Sequence, residues 1–249
     1  MSPFFLPWDL LLLLLVLSVV VPWRGLVRVR TLISGPELTS IDRLSIYGST
    51  IAFQWLAAGF VVWRTLVYGW TPAQLGLAPE RPTLGIVLGA IMAICLGGIQ
   101  FASLRQLARI PLEQRGNVYR IASRLLPRDA TETLVFVALV CTVSVCEELL
   151  YRGFAYSVFQ QLGGGSVWFA MVGSSALFAV GHLYQGGRGM MNTFVLGVLF
   201  AGARAWSDSL APCVLAHLAV DLVAGLAAPP PDASEKPTGP DPGSAFSNQ

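Results

Sequence analysis

The sequence predicts an all-α polytopic membrane protein, a bundle of about seven transmembrane helices, eight at most, around an intramembrane polar cavity. Two observations carry this. The chain is 54% hydrophobic and only 12% charged, with a mean hydropathy of +0.64, so lipid is its main solvent. Its apolar stretches recur at the length of about 20 residues that a helix needs to cross a hydrocarbon core about 30 Å thick. Helices are expected throughout because a backbone in lipid must pair its polar groups within its own segment.

The first span, 4–22, contains "WDLLLLLLVLSVVVP". It lacks the basic start and small-residue cleavage site of a secretory signal and is read as a membrane helix. "RVRTLISGPELTSIDRL" (28–44) has the charges and the Gly-Pro break of a loop, and leads to a second span at 46–68. "GWTPAQLGLAPERPT" (69–83), punctuated by three prolines, is the next loop. A third span follows at 84–104. The connection 105–130 carries six arginines with apolar residues between them. Its second half, 118–126, reads either as an amphipathic helix on an anionic membrane face or as a solvated basic loop. Four further spans are expected at 131–161, 166–184, 189–206 and 210–227. Residues 1–228 thus form one transmembrane domain. The tail 229–249, rich in Pro, Gly, Ser and Asp, has too few apolar residues to pack and is expected to be disordered.

Arginines number four in 24–43, one in 69–83 and six in 105–130. The positive-inside bias then puts the first and third connections in the cytoplasm. Cys95, Cys141, Cys146 and Cys213 all fall in spans and read as small apolar packing residues. Trp8, Trp23, Trp70 and Trp206 sit near span ends as interfacial anchors would. "QLGGGSVW" (161–168) looks like a helix stop and tight turn, and "YQGGRGMMN" (184–192) like a flexible loop able to gate entry beside His182. "GSSA" (173–176) and "AGA" (201–203) suit close helix packing.

Ionisable groups inside a membrane cost several kcal/mol and mark function by default. Here they cluster in "EELLYR" (147–152), "FAVGH" (178–182) and "HLAVD" (217–221). At 100° per residue Glu148 and Arg152 share a helix face, and Glu147 points about 100° away. Glu148 can pair with Arg152, which leaves Glu147 free for general-base work. Phe178 and His182 share a face, as do His217 and Asp221. Glu147, Glu148 and Asp221 against Arg152 leave a net charge of −2, costly to bury. A divalent metal held by Glu147, His182 and His217 would neutralise it, and so would two protons. Two histidines and a carboxylate with an open water position form a known zinc set, in which bound water ionises near pH 7. The chain lacks His-Glu-x-x-His.

In that order and spacing the three motifs resemble the CPBP intramembrane proteases, which include the CAAX prenyl endopeptidases (Rce1-like) and bacteriocin-processing or immunity proteins (Abi). The pattern is Glu-Glu-x-x-x-Arg, Phe-x-x-x-His and His-x-x-x-Asn/Asp. It covers 131–225 well and the first 130 residues only in general character, though "LGLAPERP" (75–82) also resembles a family feature. The resemblance implies a catalytic core at 131–227. It implies that Glu147 and His182 activate a water, that His217 and Asp221 stabilise the oxyanion or bind a metal, and that Arg152 holds the glutamates or the substrate. Asp221 departs from an amide at that position, because an ionised Asp only accepts hydrogen bonds.

The function these residues point to is an endopeptidase that cleaves a membrane-associated protein or peptide with an activated water. A catalytically silent binding, immunity or scaffold protein of the same fold is the alternative. A proton-relaying transporter is disfavoured because no inverted repeat is evident. The expected partners are membrane lipid and the substrate, with no nucleic acid. One lysine against fifteen arginines fits a GC-rich bacterial genome, hence a bacterial plasma membrane. Neither the substrate, its prenylation nor the oligomeric state is written in the residues.

Overall fold

The computed structural model describes residues 7–111 and 115–228, and every regular element among them is a helix. The expected disordered tail, 229–249, lies outside the described residues. There are eight helices: α1 (Trp8–Ser34), α2 (Ser40–Val67), α3 (Pro82–Leu107), α4 (Gly116–Leu125), α5 (Ala130–Leu162), α6 (Val167–Gly181), α7 (Gly186–Ser207) and α8 (Ala211–Leu226). The all-helical membrane bundle read from the sequence is therefore what forms.

Four helices, α1, α2, α3 and α5, are long and apolar enough to cross a membrane alone. The other three expected spans differ. Those placed at 166–184 and 189–206 meet at a 61° bend and together make one broken span or a re-entrant pair. The last, α8, is apolar but only 16 residues long. The bend falls where His182 ends α6, and Gly186 adopts a left-handed φ of 77°. The stretch expected as a gating loop, 184–192, is instead mostly the first turns of α7, since the chain is helical again from Gly186.

The loop expected at 28–44 shrinks to 35–39, for reasons local to each flank. On one side the orphan carbonyls that end α1 find donors, because the Arg124 guanidinium of α4 bonds the carbonyls of Leu32, Gly35 and Pro36. On the other, Thr39 and Asp42 form a capping box: the Asp42 N–H donates to the Thr39 hydroxyl at 3.2 Å and the Thr39 N–H to Asp42 at 2.8 Å. These contacts also hold the two arginine-rich connections together at one end of the bundle. Of the two readings of 118–126, the helix is the one observed.

Small residues set the helix spacing, as expected in lipid. A Cβ on Gly89 of α3 would come within 3.0 Å of the Pro212 backbone in α8, and one on Gly197 of α7 within 2.9 Å of Ser175 in α6. Leu10, Leu13 and Leu17 of α1 belong to the same buried core as Leu150 and Phe154 of α5. The loop 68–81 is stitched to it: Arg204 of α7 donates to the carbonyls of Ala73 and Gln74, and Leu75 is fully buried. Trp70 goes inward against Phe154, 6.2 Å between rings, and is no interfacial anchor; Trp8, Trp23 and Trp206 are exposed, as anchors are. All four cysteines are free, Cys95 and Cys141 on the outer surface.

One buried ion pair joins α2 to α5. Arg43 grips Glu132 with two bonds of 2.7 Å, and Glu132 also accepts the Arg128 N–H at 2.8 Å. Removing one partner strands the other charge, which costs about 3–5 kcal/mol. Arg43→Ala is therefore expected to lower the thermal unfolding midpoint in detergent well beyond the change in Arg128→Ala, whose ion pair with Glu37 is exposed at 3.6 Å.

Candidate active site

Helix α5 brings the paired carboxylates to the middle of the bundle and treats them differently. Beyond Glu148 it is wound as a π-helix over Leu149–Ala155, a local widening that often accompanies functional sites. Glu148 and Arg152 are both fully buried and paired at 3.0 Å. The same carboxylate oxygen, Oε1, accepts a bond from Nδ1 of His217 on α8 at 2.8 Å. Glu147 stays half-buried, and its Oε1 accepts only the side-chain amide of Gln54 on α2, at 3.0 Å.

Phe178 of α6 is the common neighbour. Its ring lies 4.1 Å from the Arg152 guanidinium carbon, 4.5 Å from the His182 ring, 5.0 Å from Tyr151 and 6.3 Å from His217. Phe200 of α7 faces Arg152 from 5.3 Å. Arg152 Nε and Nη2 have no hydrogen-bond partner among the described residues. The electron-rich faces of the two phenyl rings supply part of the stabilisation those nitrogens lack.

His182 is half-buried at the end of α6, with Nδ1 2.8 Å from the Phe178 carbonyl. A carbonyl only accepts, so Nδ1 carries the proton and Nε2 is left as the basic nitrogen. In α8, His217 Nε2 lies 3.4 Å from Asp221, whose side chain is 36% exposed. Asp221 lines a cavity of about 400 Å³ together with Tyr184, Gln185 and apolar residues of α4, α5 and α8 such as Ile121, Phe136 and Val140.

The structure thus brings Glu148, Arg152, His217 and Asp221 into one chain of contacts and sets His182 against it through Phe178. Glu147 stands one residue from that chain, joined to α2 instead. This changes the charge count. Glu148 and Arg152 are the fully buried members and cancel each other, whereas Glu147 and Asp221 keep access to open space. The burial of a net −2 that called for a metal or two protons does not arise.

The metal set expected from Glu147, His182 and His217 is likewise not assembled. His182 has Nδ1 engaged and Nε2 open, the tautomer a ligand needs, whereas His217 is flanked on both nitrogens, Nδ1 by Glu148 and Nε2 by Asp221. Among the described residues, however, no three His, Cys, Asp or Glu side chains converge closely enough to hold an ion. The donor set does not fit a metal in this arrangement.

Sequence reasoning missed Gln54, Phe200 and Tyr184. Gln54 had a legible signal, as the one amide inside the apolar run "IAFQWLAAGF". Phe200 had none, since an aromatic in an apolar helix is ordinary. Tyr184 stood in plain view two residues after His182, hidden by the reading of its surroundings as a loop.

A helical membrane bundle that encloses such an acid, arginine and histidine centre belongs with polytopic membrane proteins carrying an intramembrane polar site. Residues 129–223, the segment that contains all three motifs, match the family model described as Type II CAAX prenyl endopeptidase Rce1-like. The family so described is one of CAAX protease-type intramembrane endopeptidases. No curated protein and no solved structure matches the chain.

The two glutamates should separate by experiment. Glu148→Ala leaves Arg152 and His217 buried without their carboxylate and is expected to cost about 3–5 kcal/mol. Glu147→Ala gives up one half-buried bond, about 1 kcal/mol. Thermal unfolding of both variants in detergent measures the difference; equal destabilisation would contradict the division of roles.

Proposed function

We propose that this protein hydrolyses a peptide bond of a membrane-associated protein or peptide, with Glu147 and His182 activating the attacking water. The observation that carries this is the division within the glutamate pair. Glu148 is consumed by Arg152 and His217, which leaves Glu147 and the Nε2 of His182 as the basic groups free to take a proton.

The chemistry balances without a covalent enzyme intermediate. Water attacks the carbonyl carbon, its proton passes to Glu147 or His182, and the carbonyl π electrons move to oxygen as an oxyanion. Collapse of that intermediate breaks the C–N bond, and the held proton goes to the departing nitrogen, giving a carboxylic acid and an amine, and the acid proton then passes to the amine or to water. Glu148 and Arg152 act behind the reacting atoms, fixing His217 where its Nε2 can face them. The apolar cavity of about 400 Å³ with Asp221 on its wall suits a substrate that arrives from lipid and must expose one polar bond. No metal takes part in these steps, since the donors do not converge on one point among the described residues. In a bacterial plasma membrane, the setting the arginine bias favours, the substrates would be peptide precursors or other membrane proteins.

The test compares new peptide termini in membranes expressing the wild type, Glu147→Ala or His182→Ala. Termini that depend on the wild type are expected, with each variant losing about 10²–10⁴-fold in rate while unfolding within a few degrees of the wild type. Identical termini in all samples would replace this reading with that of a silent binding or immunity protein. Metal analysis of the same purified wild type is expected to give no stoichiometric zinc; one zinc per chain would require these side chains to rearrange around an ion.

A further inference from the structure

Stabilising the oxyanion calls for preorganised donors aimed at the carbonyl oxygen, and the residues the motifs offer for this fall short. Asp221 as a carboxylate only accepts. His217 gives Nδ1 to Glu148 at 2.8 Å, and any proton on Nε2 is shared with Asp221 at 3.4 Å. One further donor is needed on the same side of the cavity.

Tyr184 has the position and the free proton. It sits on the three-residue turn Leu183–Gln185 directly after His182, and its ring lies 5.8 Å from the His182 ring, tilted 36°. It lines the same cavity as Asp221. The Gln185 amide donates to its oxygen at 3.4 Å, which turns the phenolic proton away from Gln185. No acceptor for that proton exists among the described residues. The ring is seated from α1, outside the family-matched segment: a Cβ on Gly25 would stand 3.3 Å from Tyr184 Cδ1, so the absence of a side chain there lets the ring lie against the first helix.

Resting on the hydrolytic reading above, we propose that Tyr184 is a further catalytic residue, whose hydroxyl hydrogen-bonds the developing oxyanion and supplies the donor that Asp221 cannot. The proton stays on Tyr184 throughout; only the charge on the carbonyl oxygen changes. Gly25 is a positioning residue that acts through the Tyr184 ring.

The experiment uses the full chain in liposomes and a peptide spanning the cleavage position found in the comparison of termini. Tyr184→Phe keeps the ring and removes the donor. It is expected to lower kcat by about 10²–10³-fold with KM little changed, because the bond forms only in the transition state. Gly25→Ala keeps the hydroxyl but presses on its ring and is expected to lower kcat about tenfold, also with little change in KM; it decides the matter if Tyr184→Phe does not fold. Glu147→Gln is run alongside. If Glu147→Gln is inactive while Tyr184→Phe stays within threefold of the wild type, the Tyr184 proposal is overturned and the protease reading stands. If Glu147→Gln cleaves like the wild type, the reading beneath it falls as well.

Discussion

The contact between Glu148 and Arg152 is the constraint around which this bundle is arranged. Two full charges without water are tolerable only when each is paired and enclosed. Here the pairing lies within one helix, one turn apart, so it forms with α5 itself. The enclosure comes from other helices, with Phe178 from α6, Phe200 from α7 and His217 from α8. Each of these helices is too short or too bent to be positioned by the membrane alone. What fixes them is the need to cover the guanidinium and satisfy the carboxylate. The half of the molecule that carries the candidate site is thus organised from the inside, whereas α1, α2 and α3 are each long and apolar enough to cross a membrane alone.

This difference explains what could be read from the chain directly. Long apolar helices announce themselves by composition, so α1, α2, α3 and α5 were legible to within about a dozen residues at the worst end. The shortfall at α1 came from a partner distant in sequence, that at α2 from a capping box within the expected loop. Arg124 caps a helix some ninety residues earlier, and no local signal at Ser34 reveals it. The broken span was illegible for another reason. His182 and the glycines after it look like a loop, yet glycine at a helix start is harmless once the neighbouring helices hold the turn.

The candidate site was legible in its members but not in its bookkeeping. Helical spacing correctly joined Glu148 to Arg152 and His217 to Asp221. It said nothing about Glu148 meeting His217, because that contact crosses 69 positions of sequence. Without it, four ionisable residues looked like a buried charge excess seeking a metal. With it, the excess resolves into one neutralised buried pair and two carboxylates at the rim. The role of Gln54 shows the same limit: an amide in a span signals a polar partner, but only the fold names Glu147.

The shortness of α8 has a consequence for the membrane around the protein. Sixteen residues rise about 24 Å, against a hydrocarbon thickness of about 30 Å. Hydrophobic mismatch of this kind is relieved by thinning the bilayer beside the short element. His217 and Asp221 are carried on that element, so a bilayer thinned beside it would bring headgroups and bulk water toward their face of the bundle. Under the hydrolytic reading proposed above, bilayer thickness then becomes a variable of the water supply. A thick, ordered membrane would starve the site without touching a single side chain in it.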